Sequence, residues 1–325
     1  MKADTVTKDY VKDAGVFADI FNYYIYGGRQ VILPEHLTER DSTKIALPYG
    51  ADGVVVPIQR FRDVQKLYAA MTDGKMEYVL YGAENQTEIH YAMAVKNNLY
   101  DALEYAGQVE EAAKSHRKEM KQKKKQGETS TEEGKKTPNT GEFLSGFWTE
   151  DRLIPSITVT IFFGSEEWDG PLSLFEMMDV SDPEVLACMD NYHMRLIAPA
   201  QMSDEIMKFQ SSLREVMLFI KYSKNKENLS RVLAANEERF REVERRAADV
   251  IETITNSGMK YDEKEKVVDV CQAIQEMRKE SEQKKAREVA GNLYKMGLDI
   301  EKIAQAVGYA VETVNEWLGL EKNVP

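Results

Sequence analysis

Two extended, apolar-rich runs flank Asp73-Gly74 in "GVVVPIQRFRDVQKLYAAMTDGKMEYVLYGAENQ", and Asp-Gly is a strong signal for a two-residue hairpin turn. A hairpin closed there has a defined register. Asp63 and Glu84 lie equally far from the turn and so fall opposite each other, with Cα atoms about 4.5–5.5 Å apart. Because strand side chains alternate, Glu84 and Gln86 share one face and Ala83 and Asn85 the other. Asp63, Glu84 and Gln86 are thereby expected to converge. Two opposed carboxylates repel each other unless a cation intervenes. Completed by waters and a substrate phosphate, they suit magnesium, a hard ion that keeps much of its hydration shell and can activate water against a phosphodiester. The same residues also read as polar side chains at a solvated strand end, and a β-bulge would shift the register by one.

The surrounding pattern predicts a mixed α/β core. Residues 13–26, "DAGVFADIFNYYIY", have helical apolar spacing closed by Gly27-Gly28, and "QVILPEHL" follows as a short extended piece. Residues 88–112 predict a long helix and 156–164, "SITVTIFFG", a strand; a strand reached across a helix is expected to run parallel to its predecessor. From about residue 203 only helical patterns remain. Residues 296–318 outline a helix-turn-helix around Gly308, but the second helix carries Glu312 and Glu316 and no Lys or Arg, so it lacks donors for phosphates and guanines. A small packing or dimerisation unit, joining copies of the chain through the C-terminal helices, is the alternative. The expected division is a domain over 1–222 interrupted by an insertion at 112–145, a charged helical region at 223–288 and the small helical unit at 289–325.

The chain has 325 residues and a net charge of -12, a balance that disfavours polyanions unless basic residues cluster. They cluster in "KSHRKEMKQKKK", residues 114–125, where seven Lys or Arg stand against one Glu. This segment and the polar run after it read as a solvated, disordered insertion, and also as a basic arm on which Lys121, Lys123, Lys124 and Lys125 contact DNA phosphates; the two readings are compatible. No apolar run approaches the roughly 18 residues that span a bilayer, and the start lacks the apolar centre of a secretory signal, so a cytoplasmic protein without membrane contact is expected. Cys188 and Cys271 are isolated and read as buried thiols.

The ordered set "RFRDVQK", "LYGAENQT", "YAMAVKNNLYDALEYAGQ" and "ITVTIFFGSEEWDGPLSLFEMMD" resembles the recombination-promoting nuclease and transposase-like family of the PD-(D/E)XK nuclease superfamily, over roughly the first 220 residues. The resemblance implies a restriction-endonuclease-like α/β core, a central mixed sheet flanked by helices, with an all-helical C-terminal extension. It also implies a magnesium-dependent DNA endonuclease linked to DNA mobility, a chemistry that phage defence would share. By position, the family's metal-binding acids fall on Asp63 and Glu84, and Gln86 replaces the superfamily's lysine. A carboxamide orients water but supplies no charge, which makes Lys96, on the following helix, a candidate for that role; its other reading is an ordinary exposed helix lysine. Asp19 matches an acid on the first helix that leans toward the metal in many superfamily members, and reads equally as a residue on a solvated helix face. Tyr100, Asp101, Tyr105 and Gln108 match the family's long helix. Trp168 and Asp169 also match, but Gly170-Pro171 reads as a turn before a helix, without chemistry.

Other catalytic schemes find no support in the sequence. The four histidines have no zinc-site spacing, and no glycine-rich phosphate loop is present. The competing class is a nuclease-like fold without catalysis that binds DNA or protein.

Overall fold

Asp13 separates two helices, α1 (Ala3–Val11) and α2 (Ala14–Tyr26), and caps the second, its Oδ1 accepting from the Gly15 and Val16 N–H groups at 2.8 and 3.1 Å. Gly27 closes α2 in the left-handed conformation. The computed structural model describes residues 3–40, 43–46, 58–61, 63–72, 75–125, 138–262 and 264–320. The turn expected at Asp73-Gly74 lies outside them, but the ladder on either side of it is well defined.

Five strands form the main sheet: β1 (Leu37–Glu39), β4 (Val64–Thr72), β5 (Lys75–Gln86), β6 (Ser156–Phe162) and β7 (Leu196–Ile197), in spatial order β1-β4-β5-β6-β7, while β2 (Thr43–Ala46) and β3 (Ile58–Phe61) form a separate antiparallel pair. The β4–β5 hairpin runs in register from Thr72↔Lys75 to Val64↔Ala83, without a bulge. β6 lies parallel to β5, with Glu84 beside Thr160, and is reached through the long helix α3 (Met93–Lys125) and the short α4 (Thr140–Ser145). This is a mixed sheet with helices on both faces.

Alternation gives the two faces different chemistry. Tyr81, Ala83, Val159 and Ile161 pack with Phe17, Phe21 and Val16 of α2 in the main core, where burial of each large apolar side chain contributes about 1.5–3 kcal/mol. The opposite face, under α3, is polar and buried: it carries Gln65, Glu84, Ser156, Thr158 and Thr160.

Beyond the sheet the chain forms α5 (Pro183–Leu186), α6 (Leu213–Tyr222), α7 (Lys226–Ala235), α8 (Glu237–Arg241), β8 (Val243–Glu244), α9 (Arg245–Thr255), β9 (Val267–Val268), α10 (Val270–Lys295), α11 (Ile300–Val307) and α12 (Val311–Leu318). The small β8–β9 ladder interrupts a stretch expected to be wholly helical. Leu229, Leu233, Phe240, Val250, Ile251 and Ile274 belong to the same core as the sheet, so the 223–288 region packs on the α/β core as far as Ile274. The C-terminal unit has its own cluster around Ala290, Ile303, Ala304 and Val314. No helix among the described residues is long and apolar enough to cross a membrane.

Three expectations are corrected. The basic stretch 114–125, expected to be disordered, is the helical continuation of α3 as far as Lys125; residues 126–137 lie outside the described set. Ala113 is buried against Gly146, where an added Cβ would meet Ala113 Cβ at 2.6 Å, and the His116 ring stacks on Trp148 at 3.9 Å while its Nε2 lies 2.8 Å from Asp151 Oδ2. Returning chain thus braces this part of the helix, which supplies the apolar contact that its charged composition conceals. α1 precedes the expected first helix, burying Val6 and Tyr10 at a helical spacing of four. Cys188 is exposed, just after the short helix α5, which has no buried residue, and Cys271, in α10, is half-buried.

Candidate active site

The hairpin register delivers Asp63 to Glu84. The Asp63 N–H donates to Glu84 Oε1 at 3.4 Å, and the Asn85 N–H donates to Asp63 Oδ2 at 3.0 Å. Each carboxylate therefore accepts from the other residue's strand, and the two are bound into one feature at the open end of the hairpin. Their environments differ: the Glu84 side chain is 1% exposed and that of Asp63 31%.

Lys96, one turn into α3, lies with Nζ 2.9 Å from Glu84 Oε2 and 5.7 Å from the centre of the Tyr100 ring. The reading of Lys96 as an ordinary surface lysine does not hold. Burial pulls its pKa down, but the charge and hydrogen bond of Glu84, with smaller contributions from Tyr100 and Asp63, more than offset this and hold it above the usual lysine value. The ammonium is thus the stable form at neutral pH. On the far side, Lys8 of α1 places Nζ 3.8 Å from Asp63 Oδ1.

The helix that carries Lys96 is fixed to the sheet by hydrogen bonds. Asn97, fully buried, donates to Thr160 Oγ1 at 2.8 Å, on the residue that pairs with Glu84. Asp101 accepts from Ser156 Oγ, Thr158 Oγ1 and the Tyr192 hydroxyl at 3.0, 2.8 and 2.8 Å. The Tyr105 hydroxyl accepts from the Ser156 N–H, and Gln108 exchanges two bonds with the backbone of Ile154. Asp101 and Tyr105 thus hold α3 in place on the sheet. Asn97 and Thr160 were not singled out from sequence, although the Ser-x-Thr-x-Thr alternation of β6 marks a polar face.

Gln86 is half-buried, shares the Glu84 face by alternation, and its backbone carbonyl accepts from the Phe163 N–H at 2.8 Å. Asp19 is engaged differently. Its Oδ2 accepts from the Gln210 N–H, the Ser211 N–H and the Ser211 hydroxyl at 2.7–2.8 Å, so it anchors the chain leading into α6. It is also buried, contrary to the solvated-face reading.

No family model, curated protein or solved structure matches the chain.

The site's chemistry therefore rests on its own geometry. Among the described residues no three His, Cys, Asp or Glu side chains gather into a ligand set. Magnesium does not require three: one or two carboxylates with waters and substrate oxygens complete its octahedron. Asp63 and Glu84 fit that donor set, hard anionic oxygens on adjacent backbones, one of them open to solvent. Lys114, Arg117, Lys118 and Lys121 are exposed along α3. Lys123, Lys124 and Lys125 continue the helix, and their side chains lie outside the described set.

Proposed function

We propose that the chain is a metal-dependent DNA endonuclease of the PD-(D/E)XK type, similar to recombination-promoting nucleases. The observation that carries this reading is the cross-bonded Asp63–Glu84 pair with Lys96 against it. In this reading Asp63 and Glu84 hold magnesium, which supplies a Lewis acid and a more acidic water. Lys96, protonated at neutral pH, is an electrostatic partner for the phosphate oxygens rather than a general base. It supplies from α3 the charge that Gln86 lacks, leaving Gln86 to orient water through its carboxamide. Water attacks phosphorus, the bond to one ester oxygen breaks, and the proton follows to that oxygen. The mixed sheet flanked by helices agrees with the superfamily core, and the basic half of α3 offers a phosphate-binding surface that offsets the acidic remainder.

A second reading, a nuclease-like binding protein without catalysis, is favoured by one feature: Glu84 is sealed and already neutralised by Lys96. Titration of magnesium into the purified chain and into Asp63→Ala separates the two. Uptake that the substitution abolishes supports the nuclease; identical heats for both proteins overturn it.

A further inference from the structure

Lys8 belongs to no part of the nuclease reading so far, yet it is placed with care. α1 crosses the open end of the hairpin with contacts at positions four residues apart. Asp4 Oδ1 accepts from the Thr87 hydroxyl at 3.2 Å, Lys8 reaches Asp63, and the Lys12 carbonyl accepts from the buried Lys66 Nζ at 2.7 Å. Val6, Thr7, Tyr10 and Val11 are buried beneath. The helix is therefore anchored before, at and after Lys8, and the ammonium is delivered by a fixed scaffold rather than a free surface side chain.

The result is a row in which two adjacent carboxylates lie between two ammonium groups: Lys8, Asp63, Glu84, Lys96. The two ammonium groups counterbalance the two carboxylates, with distances of 3.8 and 2.9 Å at the ends of the row. Both lysines are about one-third exposed, as is Asp63, whereas Glu84 is sealed. Cations on the solvent side of a buried acid are poised to meet an incoming anion. A divalent cation taken up by the carboxylates would replace the lysines as their counter-charge and leave an excess of two positive charges, which two neighbouring phosphodiesters of one strand balance.

We propose that Lys8 is a second phosphate-binding residue of this site, held by Asp63 while the carboxylates are free and released to the nucleic-acid strand when they take a divalent cation. The inference rests on the nuclease reading for its metal and its substrate. It makes Lys8 and Lys96 bracket the scissile region from opposite sides, one from α1 and one from α3, so the site grips phosphates flanking the attacked bond.

The role has opposite consequences for metal and for DNA, which a structural surface ion pair would not have. Removing Lys8 removes a competitor for Asp63 and a contact for phosphate. The test compares wild type, Lys8→Met, Lys8→Arg and, as a control on the same helix, Lys12→Met, whose lysine pairs with Asp9. Magnesium affinity is measured by calorimetry without DNA, and binding of a short duplex is measured against salt with calcium in place of magnesium. For Lys8→Met the expected results are magnesium affinity about two- to fivefold tighter, matching the loss of a partly exposed ion pair, and a salt slope smaller by about one. Lys8→Arg should retain the wild-type slope, and Lys12→Met should leave magnesium affinity unchanged. A wild type that binds magnesium while Lys8→Met matches it in affinity and slope overturns the inference alone. A wild type that takes up no divalent cation overturns the nuclease reading and the inference with it.

Discussion

Lys96 Nζ sits 2.9 Å from Glu84 Oε2, an ion pair in which the acid is sealed and the lysine reaches solvent. Removing the lysine leaves a buried charge without its main partner, which costs about 1–3 kcal/mol or more. Lys96→Met is expected to destabilise the fold by about that amount, and Lys96→Met with Glu84→Gln by less than the sum of the two single changes. A urea double-mutant cycle measures the difference; strict additivity would mean that the pair does not couple.

The same pair has a defined pH dependence. Because the folded-state pKa of Lys96 is raised, its contribution is fully present below the ordinary lysine value, about 10.4, and is lost only as pH climbs through the raised value. The stability difference between wild type and Lys96→Met should therefore be equal at about pH 7 and about pH 9. A difference already shrinking by pH 9 would show that Glu84 does not hold the ammonium in its charged form.

Neutralising the basic face of α3 should act on binding and not on folding. Lys114, Lys118 and Lys121 are exposed, whereas Ala113 and the stacked His116 brace the helix, so substitution is a cleaner probe than deletion. The triple change to Gln is expected to keep the melting temperature within a few degrees and to lower the salt slope of DNA binding by about two to three. An unchanged slope would return this segment to a solvated helix face.

Gln86 is expected to act in the chemical step. Gln86→Ala should slow single-turnover cleavage by about 10²-fold, the effect of losing one preorganised polar group, with magnesium affinity little changed. Gln86→Lys should keep part of the activity. An alanine variant as fast as wild type would leave Gln86 as a strand-end residue only.

How far the site is legible in sequence depends on the range of the contact. The Asp63–Glu84 pairing follows from a turn signal and strand alternation, both local, and the parallel placement of β6 follows from the helix between the strands. The Lys96–Glu84 contact depends on how α3 settles on the sheet, which Asn97, Asp101 and Gln108 decide through hydrogen bonds to β6 and the residue Ile154 just before it, far away in the chain. Asp19 has the composition of a ligand and the surroundings of an anchor; only the chain arriving at Gln210 and Ser211 makes that visible. The basic stretch misleads for a related reason, since its apolar partners, Gly146 and Trp148, come from beyond the insertion. The helices after residue 223 share the core of the sheet, a packing that their charged pattern does not announce.

Cleavage of a supercoiled plasmid by the purified chain, with magnesium and with a chelator, alongside Asp63→Ala and Glu84→Gln, tests the central claim most directly. Expected are magnesium-dependent nicking or linearisation by the wild type, none with the chelator, and loss of at least about 10²-fold in both variants. Cleavage at equal rates by all three proteins, or none by a folded wild type over a range of divalent cations, would contradict it.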